Sequence, residues 1–301
     1  MKAWIGAMRL RTLPLSLSGI IAGSAYSYYK GSWDFNVFIL AISTTILFQI
    51  LSNLANDLGD SQKGTDNERR IGPERAVQSG VISEKQMKLG VIFASILSFV
   101  SALTLIFFSS SYLSESLVWM YVGLALLSII AAILYTVGKS AYGYHGFGDV
   151  MVFFFFGLLS VFGVYLLYGL GIDWILIYPA ISIGLWSTAV LNLNNMRDIV
   201  NDELSGKMTI VVQLGQRRAG LYHLSLILLG IISWTILIGI CIYLTSSWIF
   251  AFSVIPSVLF YPHLIKVIAI KEPYQYDAEL KKVALITFFS SVLFAICLFT
   301  V

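Results

Sequence analysis

Apolar runs of helix-spanning length recur along the whole chain, broken by short polar interruptions, and their rhythm predicts a stack of membrane-crossing helices. Nine runs stand out, at roughly 13–29, 36–55, 89–109, 116–136, 148–168, 173–192, 221–243, 247–268 and 283–301. Each approaches the ~20 residues that a helix needs to cross the hydrocarbon core. The run LYHLSLILLGIISWTILIGICIYL is apolar on every face, so the alternation of lipid-facing and lumen-facing residues that marks a membrane β-barrel is missing. The predicted fold class is all-α: a polytopic membrane protein with nine transmembrane helices, folded as a single domain over residues 1–301.

Composition supports this reading. Hydrophobic residues make up 58% of the chain and charged ones only 12%, against about 25% charged in a soluble globular domain. Charge placement then predicts orientation, because Lys- and Arg-bearing loops stay on the cytoplasmic side. With nine spans, 18 of the 19 basic residues fall on one side and only Lys30 on the other. The N-terminus is thus expected inside and the C-terminus outside. A missed or invented helix would scramble that alternation. A net charge of +3 spread over membrane-edge loops leaves no basic face for nucleic acid. Cys241 and Cys297 fall inside predicted spans, where small apolar packing is expected rather than a disulfide or a zinc site. Pro14, Ser16 and Ser18 interrupt the first apolar run, which reads as a retained helix rather than a cleaved signal.

Two inner connections are unusual. Those after spans 2 and 6 are long and rich in charge, Gly and Thr. Each begins on an acidic, Asn-bearing helix end, NLANDLGD and NLNNMRDIVND, and four spans separate the two, so both face the same side. Continued as helix, Asn53, Asn56, Asp57 and Asp60 share one face at i, i+3, i+4 and i+7, and Asn194, Asp198 and Asp202 share another. Carboxylates next to hydrocarbon are costly and these repel one another, so the arrangement calls for counter-charge. An oxygen-only donor set without His or Cys favours a hard cation, and Mg²⁺ typically combines a few carboxylates with phosphate oxygens. The pattern points to a metal-held diphosphate, with Asp57, Asp60, Asp198 and Asp202 as ligands. Lys63, Arg69, Arg70, Arg75, Lys139 and Lys207, with Arg197 beside the second cluster, are the available diphosphate-binding cations.

The run NDLGDSQKGTDNERRIGPERAVQSG, with the later NNMRDIVNDELSGKMT and YGYHGFGD, resembles the Asp-rich motifs of the UbiA superfamily of intramembrane prenyltransferases, and the likeness covers essentially the whole chain. The resemblance implies a nine-helix UbiA-like bundle with cytoplasmic Asp-rich loops. Within that superfamily the motifs are similar to the branch that prenylates 1,4-dihydroxy-2-naphthoate on the way to menaquinone. It further implies Mg²⁺ held by the four Asp residues with help from Asn53 and Asn56, a polyprenyl diphosphate donor, and loss of diphosphate and CO₂. Asp60, Asp66, Asp198, Asp202 and Lys139 are the residues it places at the chemistry. Many relatives carry a further Asp where this chain has Gly64, and Asp66 is the acid that could stand in or serve the acceptor. Arg9, Arg11, Arg69 and Arg70 could each hold the acceptor carboxylate.

Other polar positions are less telling. Asp149, at the start of span 5, could orient a Lys or an acceptor hydroxyl. His145, Tyr142 and Tyr144 could serve as a general base. His223 and His263 are expected to pack, and Pro179, Pro256 and Pro262 to bend their spans, with room for a lateral cleft. Rival readings are a relative with another aromatic acceptor, such as 4-hydroxybenzoate or homogentisate, and an ion-coupled transporter with buried carboxylates.

Overall fold

The computed structural model describes residues 2–67 and 70–301. Among them there are helices, turns and loops but no strand. Eight helices are long and apolar enough to cross a membrane, and Leu13–Tyr29, with 17 residues, adds a ninth crossing of about 25 Å. The protein is a multi-pass membrane protein. In chain order the elements are a short α1 (Lys2–Met8), α2 (Leu13–Tyr29), α3 (Phe35–Gln62), α4 (Glu84–Ser109) and α5 (Glu115–Leu134). Then follow α6 (Gly148–Leu166), α7 (Ile177–Leu204), the short α8 (Ile210–Leu214), α9 (Gln216–Thr245), α10 (Trp248–Ala269) and α11 (Tyr276–Phe299).

Polar loop residues start these helices where the apolar runs begin. Asp34 accepts the N–H groups of Asn36 and Val37 at 2.7 and 3.2 Å at the head of α3. Ser83 and Gln86 form a reciprocal capping box at the head of α4, at 2.9 and 3.3 Å, satisfying donors that the first turn leaves unpaired. α3 and α7 overrun their apolar stretches, so the acidic motifs extend them as helix.

The helices close into a ring, with α11 packed along α2 and α7, and α7 also against α6 and α9. Between helices in lipid the attraction comes from close packing rather than from water exclusion. Trp186 of α7 accordingly stacks on Trp234 and Phe260, with ring centroids 5.6 and 5.1 Å apart. A Cβ on Gly157 of α6 would lie 2.8 Å from the Cα of Gly184 on α7, so these two backbones touch directly.

Two spans are irregular. The middle of α6, Phe153–Gly163, is wound as a π-helix, a widened geometry that recurs at functional sites. α10 is broken into Trp248–Val254, Ile255–Val258 and Phe260–Ala269. Pro256 and Pro262 each sit in the first turn of one of those pieces, where a missing N–H costs nothing. Pro179 likewise lies in the first turn of α7, just after the 3₁₀ turn Trp174–Leu176.

Candidate active site

An apolar cavity of about 380 Å³ runs through the bundle between α2, α3, α4, α5 and α6. Along α3 it extends from Ala41 to Asn56, about 22 Å of helix at ~1.5 Å per residue. Its walls are mostly aliphatic and aromatic, including Phe155, Phe156 and Leu159 from the π-helical turn. At the far end Tyr121 donates to the Gly163 carbonyl at 2.7 Å, tying α5 to α6. None of the three prolines is among the residues that line the cavity.

The charged site lies at the other end, where α3 and α7 finish. Helix α3 is terminated by Gly64, at φ +71°, a left-handed conformation that costs a Cβ-bearing residue ~1–2 kcal/mol. After this turn the Thr65 and Asp66 N–H groups both donate back to the Asp60 carbonyl, at 3.0 and 3.3 Å. Asp66, two positions beyond Gly64, is thereby folded inward and buried. It pairs with Arg70 and lies 3.6 Å from Arg75 Nε. Burial pushes its carboxyl up to about 6, with Arg70 opposing the rise. Gly59 explains itself by a close approach: a Cβ there would lie 2.6 Å from the Thr136 carbonyl carbon.

From the α7 side, Asp198 is gripped by its neighbour Arg197 at 3.0 and 2.6 Å. It also lies 4.0 Å from Arg70. Lys207 reaches Asp60 at 3.6 Å and Asp202 at 4.0 Å. Burial works against the Lys207 charge, but Asp60 and Asp202 outweigh it and raise its pKa. Arg75 stands 3.8 Å from Asp60, and Asn201 donates to the Thr65 carbonyl at 2.7 Å. Two loops separated by well over a hundred residues are thus joined. Asp60, Asp66, Asp198, Asp202, Arg70, Arg75, Arg197 and Lys207 form one buried charged cluster.

Other expected residues are placed differently. Asp57 is 1% exposed, and its carboxylate accepts the backbone N–H groups of Ala76 and Val77, at 3.2 and 3.4 Å; here it anchors the loop. Asn53 donates to the Met8 carbonyl at 2.9 Å, tying α3 to the N-terminal segment. Asn56 lines the cavity and accepts from Thr136 at 3.3 Å. Lys63 reaches the cluster only through Tyr144, with Nζ 4.2 Å from the ring centroid. Lys139 is exposed and makes no ion pair with a described residue. Arg69 lies outside the described residues. Asp149 accepts from Tyr222 at 3.0 Å rather than from a Lys, and His145 is exposed. His223 and His263 are buried but do more than pack: their Nε2 atoms are 2.9 Å apart, and His263 Nδ1 lies 2.8 Å from Glu279.

Three further residues join the site, of which Asp277 carries no motif signal. Asp277, in the first turn of α11, accepts from Arg197 at 2.7 Å and sits 3.6 Å from Arg11. Thr65 binds Tyr144 at 2.6 Å. Arg9 occupies left-handed backbone at φ 49° without being glycine, a strain typical of functional positions. Its buried Nη2 has no hydrogen-bond partner, and burial together with Arg70 lowers its pKa to about 10.

A divalent cation fits this donor set by chemistry. All the acids offer oxygen ligands, and the buried Asp66 Oδ2 and Asn201 Oδ1 lack hydrogen-bond partners; the buried donors Arg70 Nε and Arg75 Nε and Nη1, also without partners, suit the phosphate oxygens that such an ion would share. Among the described residues no three acids converge into a ready-made ion cage. That suits an ion which keeps part of its hydration and shares the oxygens of a bound phosphate.

The model of the UbiA prenyltransferase family matches residues 16–292. The chain is 41% identical over 298 residues to a 1,4-dihydroxy-2-naphthoate octaprenyltransferase of Haemophilus influenzae, covering 98% of this chain and 95% of that one. It is 43% identical over 249 residues to the enzyme of the same name from Escherichia coli, covering 83% and 80%. In structure it is similar to an apo UbiA homolog from Aeropyrum pernix, with TM-score 0.66 and 15% identity over 97% of this chain and 99% of that one. A UbiA homolog from Archaeoglobus fulgidus, solved bound to DMAPP and Mg²⁺, matches with TM-score 0.60 and 16% identity over 97% and 99%. The resemblance read from the motifs therefore holds over nearly the full length, and the chain belongs to the UbiA prenyltransferase family.

Proposed function

We propose that this protein transfers a polyprenyl group from polyprenyl diphosphate to 1,4-dihydroxy-2-naphthoate, releasing diphosphate and CO₂ and yielding the quinol form of a demethylmenaquinone. One observation carries the reading: a buried cluster of four carboxylates with Arg and Lys partners sits at the head of an apolar cavity long enough for several isoprene units. The acceptor choice rests on the two relatives of that name, each more than 40% identical to the chain. Acids at helix ends, rather than at the midplane on broken helices, speak against an ion-coupled transporter.

In this reading Asp60, Asp66, Asp198 and Asp202 hold Mg²⁺, which when bound neutralises diphosphate charge as a Lewis acid. Asp57 belongs with the loop that presents Arg75, not with the metal. Arg70, Arg75 and Lys207 lie where they can bind diphosphate oxygens and stabilise the negative charge that grows as the allylic C–O bond breaks. The hydrocarbon tail lies in the cavity, whose apolar walls keep water from the allylic cation. Arg9, buried beside the cluster with a free guanidinium nitrogen, is placed to take the acceptor's carboxylate before it departs as CO₂. Positive-inside sorting puts the site on the cytoplasmic face, the N-terminus inside and the C-terminus outside.

The direct test is conversion of 1,4-dihydroxy-2-naphthoate and a labelled allylic diphosphate by the purified protein, with and without Mg²⁺. Asp60→Asn and Asp198→Asn are each expected to lower turnover by roughly a hundredfold or more. Turnover of 4-hydroxybenzoate but not of dihydroxynaphthoate overturns the acceptor assignment. Full activity in both variants overturns the site.

A further inference from the structure

Tyr144 lies in YGYHGFGD, the third motif of the sequence, and the reaction outlined above gives it no part. The loop that carries it turns back under the charged cluster. There the side chain is buried at 6% exposure and meets four groups of the cluster at once. Its hydroxyl donates to Asp60 Oδ1 at 2.8 Å. With that proton committed, the 2.6 Å contact to Thr65 is donated by the threonine hydroxyl. Lys63 and Lys207 stand 4.2 and 5.3 Å from the ring centroid, within the ~6 Å over which an aromatic face attracts an ammonium group.

We propose that Tyr144 is the positioning residue of the diphosphate site: its hydroxyl fixes the Asp60 carboxylate for the metal, and its ring holds Lys63 and Lys207 for the diphosphate. The two ends of the side chain have separable tasks. Asp60 is otherwise restrained only by ion pairs of 3.6 and 3.8 Å, longer than a charge-assisted hydrogen bond, so the phenol is its one short side-chain restraint among the described residues. The lysines come from loops that are remote in sequence, one closing α3 and one following α7. Without the ring Lys63 loses its contact with the site, and Lys207 keeps only its carboxylate partners. The arrangement also assigns Lys63 a route into the site, although it pairs with no described carboxylate.

This inference rests on the diphosphate-transfer reading, and variants that split the side chain's two ends test it. Tyr144→Phe keeps the ring and removes the hydroxyl; Tyr144→Leu removes both. Binding of inorganic diphosphate is measured by calorimetry across a Mg²⁺ series, alongside steady-state prenyl transfer. In Tyr144→Phe the Mg²⁺ concentration for half-maximal binding and turnover is expected to rise by roughly tenfold, the scale of one lost hydrogen bond to a charged group, while diphosphate affinity at saturating Mg²⁺ stays near that of the parent protein. Tyr144→Leu is expected to weaken diphosphate binding and raise the donor KM at every Mg²⁺ concentration. An unchanged Mg²⁺ response in Tyr144→Phe, or loss of diphosphate affinity that saturating Mg²⁺ does not restore, overturns the proposal; should Tyr144→Leu fail to fold, the Tyr144→Phe arm decides alone. Absence of Mg²⁺-dependent transfer by the unsubstituted protein would instead overturn the functional reading itself.

Discussion

Residue by residue, the site depends on where the chain is forced to turn. The left-handed conformation of Gly64 ends α3 and folds Asp66 in against Arg70 and Arg75. Gly64→Ala places a Cβ at positive φ, costs ~1 kcal/mol and displaces Asp66. Its kcat/KM for the allylic diphosphate is expected to fall about tenfold. For Asp66→Asn the expected fall is nearer a hundredfold, the scale of one lost electrostatic group at a developing charge. Initial rates at saturating acceptor measure both, and an Asp66→Asn variant as fast as the parent protein would remove Asp66 from the reaction. Helical spacing made Asp60, Asp198 and Asp202 legible from sequence. Asp57 shares that spacing yet turns to the backbone of Ala76 and Val77, because periodicity specifies a helix face and not which partner the fold brings to it.

Among the elements, the inner end of α3 is the most constrained. Its surroundings differ at every turn: Asn53 meets the N-terminal segment, Asn56 and Gly59 meet Thr136, and Asp60 meets Tyr144. Gly59→Ala pushes a Cβ into the Thr136 backbone, an overpacking expected to cost ~1–3 kcal/mol and to lower the thermal midpoint in detergent. Gly123→Ala on α5, with nothing within 4 Å of its Cβ, gains helix propensity of up to ~1 kcal/mol and is expected to leave the midpoint equal or higher. Equal midpoints for the two variants would contradict the close approach at Gly59. The nine spans were readable because each is a long apolar run. The π-helical turn of α6 was not, since the run Phe153 to Phe156 looks the same whether the backbone closes four or five residues on.

For the whole molecule, the cavity and the membrane set the expectations. Ala132 of α5 lines the cavity close to its charged end and Ala125 lies about two helical turns deeper. Ala125→Trp is expected to reduce turnover of a long polyprenyl diphosphate by about tenfold or more while sparing dimethylallyl diphosphate, because bulk in a packed interior excludes the tail. Equal loss for both donors would show that the tail does not pass that point. Chelation by EDTA is expected to stop transfer, and added Mg²⁺ to restore it. Orientation is open to labelling: cysteine placed at Ser79 is expected to react with an impermeant reagent only from the cytoplasmic side, and cysteine at Ser32 only from outside. The reverse pattern would invert the topology.

By itself the sequence determined the class of the molecule: nine apolar spans, two acidic helix ends on one side, and an oxygen-only donor set among cations. Those features follow from local physics, since hydrocarbon thickness sets run length and helical period sets which acids share a face. Only the tertiary structure decided which of the charges meet. It joined Thr65 to Asn201, drew Lys207 to Asp60, set Arg197 between Asp198 and Asp277, left Lys139 exposed and placed Tyr144 beneath the cluster. These pairings join residues as many as 147 positions apart, and a charged side chain's partner is selected by what the packed helices bring within a few ångströms, for which no local pattern in the chain gives a signal.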